Sequence, residues 1–386
     1  MLCLINMKKI IVCPDSFKEC MSAPQVTKII SESLKQRLPG IEVVEIPLAD
    51  GGEGTSDALM DVYPLYLSVM AEDPLGRTRK AHYYTDITGK KGLIEIADII
   101  GLPLLGPDER NPLKASSFGV GQVILDAANH GFSEVTVALG GSATCDAGMG
   151  MLEALGFKFF DSEGNILKGN GENLLKISKI DDKGLNPSLK KLKIRVLTDV
   201  NNPLTGQEGA VKIFAPQKGA DSKDVELLER GMENLINLVR SHLNLSSEIS
   251  EAENFPGAGA AGGLGYAFIS FLNILPESGI QFVLQELNFA EQIKDADLII
   301  TGEGKVERQS LMGKVLSGVI EKARPLNIPV ISISGKAQDI PLLLKEGVAA
   351  VYSLSGLENE NQKDCLSPQK TASKLNEIIS KIPLLN

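Results

Sequence analysis

Residues 9–12 (KIIV) read as a short apolar strand, and the polar stretch DSFKECMSA follows soon after it. From Pro24 the apolar positions change to a spacing of three and four: Val26, Ile29, Ile30, Leu34 and Leu38. That spacing predicts an amphipathic helix, opened by Pro24 and stopped by Gly40. Residues 41–48 read as a second strand, so the chain begins as a βαβ unit. The last quarter repeats the order. Residues 296–301 (ADLIIT) are continuously apolar, as expected of a strand covered on both faces of a parallel sheet. A helical period follows at 315–323, a strand at 329–334, a helix near 340–345, a strand at 349–353 and a closing helix over 369–382.

Between these ends the pattern changes. Residues 67–69, 80–86 and 93–97 read as short strands joined by Gly, Asp and Pro turns, with no helix between them. A helix over 117–129, stopped by Gly131, precedes a strand at 134–139, and strands at 157–160 and 194–197 come later. The fold class this predicts is α/β in two domains. One is a Rossmann-like parallel-sheet domain of 7–46 plus 288–386, with 113–150 open to either domain. The other is a mixed-sheet domain of about 47–287 inserted into it, and a cleft is expected between the two.

Composition refines that picture. The 386 residues contain 38 glycines, where about 27 would follow from a ~7% average usage. They lack the G-X-Y period of collagen and sit in clusters. The net charge of -10 argues against a broad nucleic-acid footprint. Five cysteines without a CxxC read as reduced thiols, which suits a cytoplasmic protein with neither a disulfide framework nor a zinc site. The segment MLCLINMKKIIVCP is too short and too interrupted by lysines for a signal peptide, and Met7 is an alternative start. No run of about 18 apolar residues suggests a membrane span.

The strongest chemical signal is GGSATCDAGMG at 140–150, between the 134–139 strand and the helical MLEALG. A strand, a glycine-rich turn and a helix together suit a phosphate: glycine permits close backbone approach, and free N–H groups favour an anion. Ser142 and Thr144 add hydroxyls, and Asp146 suits a helix cap. A ligand-free strand–helix turn is the bland alternative, but it needs fewer glycines and no hydroxyls. PGAGAAGGLG at 256–265 contains GxGxxG, yet no strand precedes it and no acidic residue follows at the dinucleotide spacing, so it argues weakly for a dehydrogenase. Three acidic loops stand after apolar runs: ADGGEGT at 49–55, DVNNPLTG at 199–206 and TGEG at 301–304. Beyond strand ends, such carboxylates suit Mg²⁺ or a base for a hydroxyl proton. Among the loop cations (Lys18, Arg77, Lys114, Lys218 and Lys314), Lys218 in APQKGA is singled out by its Pro/Gly-flanked turn. The three histidines, His82, His130 and His242, read as structural or surface residues.

DSFKE, PLADGGEGT, DPLGR, RNPLKASSFGVGQ, GGSATCDAGMG, DVNNPLTG, APQKGA, PGAGAAGGLG and TGEGKVERQSLMGK follow one another as in the bacterial (type 1) glycerate kinases, and the sequence resembles that family from about residue 7 to 355. The resemblance implies ATP- and Mg²⁺-dependent phosphorylation of D-glycerate, to the 2- or the 3-phosphate. It also implies one flavodoxin-like domain and one like a restriction-endonuclease core. The departures are mild: Lys305, Val306 and Glu307 stand where the family block reads R-I-D, and Cys20, Met21 and Met149 replace smaller residues.

Residue type and loop position then suggest roles. Gly140, Gly141, Ser142, Ala143 and Thr144 would surround ATP, joined by Gly259, Gly262 and Gly263 and by Gly302 and Glu303. Lys218 would neutralise developing charge, Asp199 would take the glycerate hydroxyl proton, and Asp50 or Glu303 would hold Mg²⁺. Asp15, Ser16, Lys18 and Arg77 would bind the substrate. The expected partners are D-glycerate and ATP, with no nucleic acid or membrane, in a monomer or homodimer. A nucleotide-dependent dehydrogenase and a non-catalytic anion-binding regulator are the competing classes.

Overall fold

The computed structural model describes residues 7–17, 20–242, 251–311, 313–355 and 367–383; Lys18 falls outside them. The chain divides into two compact units, Met1–Val62 with Ser278–Asn386, and Tyr63–Glu277.

The first unit is built from both chain ends. Its sheet runs Val348–Ser353, Val330–Ser334, Leu298–Thr301, Lys9–Val12, Glu42–Glu45, and every pairing is parallel. Numbered along this unit, that order is 5-4-3-1-2, the flavodoxin-like arrangement. The centre is apolar because both faces are covered. On one face Ile10, Val12, Leu298, Ile300, Ile331 and Ile333 pack with Val26, Ile30 and Leu34 of helix Ala23–Arg37 and with Leu375 and Ile379 of helix Pro368–Lys381, and on the other Ile11 and Ile299 are fully buried. The predicted strand at 41–48 is shorter, because after Glu45 the chain departs as a loop.

The second unit carries a six-stranded mixed sheet ordered Pro276–Ser278, Lys193–Thr198, Glu134–Ala138, Lys91–Glu95, Thr78–Thr85, Leu65–Glu72. The strands Lys193–Thr198, Glu134–Ala138 and Lys91–Glu95 run parallel, while Thr78–Thr85 pairs antiparallel with Lys91–Glu95 on one side and with Leu65–Glu72 on the other. Helices Phe118–Asn129, Met149–Leu155, Ser222–His242 and Ala260–Leu272 contribute to one continuous core. Among the described residues no helix is long and apolar enough to cross a membrane.

The unit boundaries differ from those expected at 46/47 and 287/288. Residues 47–62 stay with the first unit because the chain after Glu45 folds back on it: Ile46 N–H donates to Val12 O, and Leu48 N–H to Pro14 O. Helix Gly279–Glu286 belongs there too, since a Cβ on Gly279 would lie 2.1 Å from the Asp50 carbonyl. Segment 113–150 is part of the second unit, because Glu134–Ala138 is bonded on both sides by strands of that sheet.

Candidate active site

Each unit gathers its chemistry at the carboxyl ends of its parallel strands. In the second unit, Ala138 is in register with Glu95 on one side and Leu197 on the other, so the 139–148 loop leaves the sheet between 96–102 and 199–206. Leu139 N–H donates to Leu197 O, Leu102 N–H to Gly141 O, and Ala143 N–H to Ile100 O. These bonds fix the Gly140–Thr144 backbone. The loop then interlocks with the second glycine segment. Ala147 N–H donates to Gly262 O, and a Cβ at Gly262 would stand 2.0 Å from Thr144 O. Gly259 lies equally tight on Pro203, its N–H donating to Asn202 O. Gly262 and Gly263 have φ of +67° and +93°, which only glycine adopts without strain. The segment preceding this GxGxxG is the short turn Ala252–Asn254, not a strand, which removes the dinucleotide-binding geometry.

Lys218 closes this constellation. It ends the turn Pro216–Lys218, is only 3% exposed, and points its Nζ to Ser142 Oγ (2.9 Å) and Thr144 O (2.8 Å). Both contacts are neutral. Burial pushes the ammonium below the ordinary lysine value, opposed by the nearby Cys145 and Asp146. The Thr144 hydroxyl is buried and has no hydrogen-bond partner. A buried cation without a bonded carboxylate, beside an orphaned hydroxyl and close-packed glycines, has the donors that an anion takes. Asp146 has another task. Fully buried, it accepts bonds from Ser117 N–H (2.7 Å), Ser117 Oγ–H (2.8 Å), Gly148 N–H and Gly150 N–H (both 3.1 Å). It thereby ties the starts of helices Phe118–Asn129 and Met149–Leu155 to the loop.

In the first unit the order of strands reverses between Lys9–Val12 and Leu298–Thr301, and such a switch point opens a crevice for ligand. Asp15 and Ser16 follow one strand, Gly302 and Glu303 the other, and Asp15 N–H donates to Gly302 O (2.8 Å). Ser16 N–H donates to Asp15 Oδ1 at 2.6 Å. Gly302 is obligatory, since a Cβ there would meet Ile333 O at 1.6 Å. Asp50, after the neighbouring strand, accepts the Gly52 N–H at 3.1 Å. Asp15, Asp50 and Glu303 are all buried, at 4%, 3% and 7% exposure.

Residues 10–384 match the family described as the glycerate kinase family. The chain belongs to the glycerate kinase family. It is 37% identical over 350 residues to a glycerate kinase of Halalkalibacterium halodurans, covering 90% of this chain and 91% of that one. It is 38% identical over 348 residues to the glycerate 2-kinase of Escherichia coli, covering 90% of both. A crystal structure described as a glycerate kinase 2 from Salmonella typhimurium superimposes with a TM-score of 0.79 at 34% identity, over 97% of this chain and 96% of the other. The chain is therefore an enzyme of the kinase class.

The expected site residues of this kinase separate by unit. Gly140, Gly141, Ser142, Ala143, Thr144, Asp199, Lys218, Gly259, Gly262 and Gly263 converge on the loops of the second unit, with Asp199 half-buried directly after Lys193–Thr198. Asp15, Ser16, Asp50, Gly302 and Glu303 belong to the first. Arg77 is paired with carboxylates of the protein. It occupies the turn before Thr78–Thr85, where its Nε holds Asp73 (2.6 Å) and its Nη1 holds Glu109 (2.6 Å), and its charge is spent on those two carboxylates. Among the described residues no group of three or more His, Cys, Asp and Glu forms a metal cage. Mg²⁺ needs none, since it takes one or two carboxylates and completes its shell with phosphate and water. The buried carboxylates of Asp50 and Glu303 fit that donor set. Glu95 escaped the sequence reading: 3% exposed and in register with Ala138, it is a buried acid at the strand end beside the glycine loop. Its signal is a carboxylate flanked on both sides by apolar residues in LIEIA.

Proposed function

We propose that this enzyme transfers the γ-phosphoryl group of ATP to a hydroxyl of D-glycerate, with Mg²⁺ as cofactor, in the cytoplasm. The observation that carries the reading is the buried Lys218 ammonium, held by Ser142 and Thr144 beneath a glycine loop and bonded to no carboxylate. An anion with several oxygens, such as a polyphosphate, supplies the missing negative charge. In this reading the backbone and hydroxyls of Gly140–Thr144 bind the phosphates, and Gly259, Gly262 and Gly263 hold that backbone in place. Lys218 offsets the charge that grows as the phosphoryl group leaves ADP. Asp199 accepts the proton of the attacking hydroxyl while the new P–O bond forms and the old one breaks. Asp50 and Glu303 would hold Mg²⁺, which supplies neutralisation of the phosphate oxygens. Asp15 and Ser16 would bind the glycerate at the switch point.

The 2-hydroxyl is the proposed acceptor, because the Escherichia coli relative is described as a glycerate 2-kinase. The test is glycerate-dependent ADP release with phosphorus NMR of the product. Release of ADP with formation of 2-phosphoglycerate is expected. The 3-phosphate would overturn the regiochemistry, and no ADP release would overturn the whole reading.

A further inference from the structure

The segment 110–112 runs alongside the Lys218 constellation. A Cβ on Gly219, the residue after Lys218, would lie 2.4 Å from Arg110 O and 3.1 Å from Arg110 Cβ. A Cβ on Gly171 would touch Pro112 O at 2.6 Å and Cys145 O at 3.1 Å, which ties the same segment to the glycine loop. Asn111 fixes the segment's shape by accepting the N–H groups of Leu113 (3.0 Å) and Lys114 (3.3 Å). Arg110 is half-buried, and its Nε is shut off from solvent without a hydrogen-bond partner. Its chain neighbour Glu109 cannot serve as counter-ion, because Glu109 is bound to Arg77 and to the Gly106 N–H (2.9 Å).

Two cations thus stand on adjoining turns, Lys218 bonded only to neutral groups and Arg110 with a buried donor unmet. An unmet buried donor is costly, and so is a buried ammonium hydrogen-bonded only to neutral groups. An oxyanion removes both penalties, and a guanidinium suits one that presents two oxygens in a plane. We propose that Arg110 is a second cation for the nucleotide's phosphates, using Nε and a terminal N–H to grip two phosphate oxygens while Lys218 acts as a point charge. This assignment rests on the ATP reading of the second-unit loops.

The test uses the full chain, with ADP titrated calorimetrically and steady-state constants measured for ATP and D-glycerate. Arg110→Met is expected to weaken ADP binding and raise the KM for ATP by about ten- to a hundred-fold, with the KM for D-glycerate nearly unchanged. Arg110→Lys is expected to recover only part of the loss, since it restores charge without the planar fork. Unchanged circular dichroism and Tm in both variants keep the result from being one of folding. ADP binding by Arg110→Met equal to that of wild type would overturn the assignment, as would a rise confined to the KM for D-glycerate. Wild type that binds no ADP, or Lys218→Met that binds it as tightly as wild type, would instead overturn the underlying ATP reading, and the Arg110 assignment with it.

Discussion

In the proposed mechanism Lys218 is the residue on which the chemistry of the second unit turns. Its ammonium is lowered by burial, so in the free enzyme it loses its proton at a pH below the ordinary lysine value. The expected outcome is an alkaline limb in kcat/KM for ATP that falls below that value, because kcat/KM reports free-enzyme ionisations. Lys218→Arg should move the limb upward even where it lowers the plateau; a limb unmoved in that variant would remove Lys218 as its source. Lys218→Met should reduce kcat by roughly 10²–10³, the usual effect of deleting one charge-stabilising donor. Asp146 works on a different quantity. Its carboxylate is fully buried and meets four donors, so Asp146→Asn turns an amide N–H toward donors that need an acceptor. The folded state should be destabilised by about 3 kcal/mol, seen as a fall in Tm of roughly 6–12 °C. A Tm within a degree or two of wild type would contradict this.

Among the elements, Gly262 sets how closely the two glycine loops approach. Alanine there would meet Thr144 O while holding a φ of +67°, so Gly262→Ala should cost at least about 2 kcal/mol and loosen ADP binding by pushing the loops apart. Calorimetry on the purified variant measures both. At the sheet edge, Arg195 grips Glu277 with Nε (2.9 Å) and Nη2 (2.6 Å) and ties Pro276–Ser278 to Lys193–Thr198. That hydrogen-bonded pairing holds Glu277 below the usual carboxylate range. A lowered folded pKa stabilises above the ordinary glutamate value, and the contribution disappears as pH falls through the folded value. The denaturant-midpoint gap between wild type and Glu277→Gln should therefore be open at neutral pH and close in acid. A gap constant with pH would refute the linkage.

Much of this layer was legible in the sequence, for a physical reason. The strands and helices of the first unit are covered on two faces and show continuous apolar runs or clean three-to-four spacing, and the structure places them within a few residues of expectation. Helix Ser222–His242, 21 residues long, was not read at all. Its buried positions Leu228, Met232, Leu235, Ile236 and Val239 do keep helical spacing, but acids, arginines and Gly231 dilute the stripe. Gly231 is there because Leu174 packs against it, with Leu174 Cβ 2.7 Å from where a Cβ would be. Loop chemistry was legible by residue type, and partners were not. Lys218 meets Ser142 across 76 positions, and Arg77 is neutralised by Glu109 across 32. A lone arginine in a turn looks like a ligand-binding group until its distant carboxylate is placed beside it.

For the whole molecule, the insertion of one unit within the other has a consequence for synthesis. The central strand Lys9–Val12 leaves the ribosome early, yet one of its two neighbours, Leu298–Thr301, is translated near the end; Lys9 N–H and Asp297 Oδ2, 288 positions apart, are joined by a hydrogen bond. Residues 63–277 emerge complete before that neighbour exists, and domains generally fold as units in order of appearance. The first sixty residues must then wait as an exposed, apolar, half-finished sheet while the inserted unit folds. Pulsed hydrogen exchange during refolding should protect amides of Glu134–Ala138 before those of Lys9–Val12, and simultaneous protection would contradict this sequence of events. A nascent chain stalled near residue 277 should be the form most dependent on chaperones, with one unit finished and the other still lacking half of its sheet.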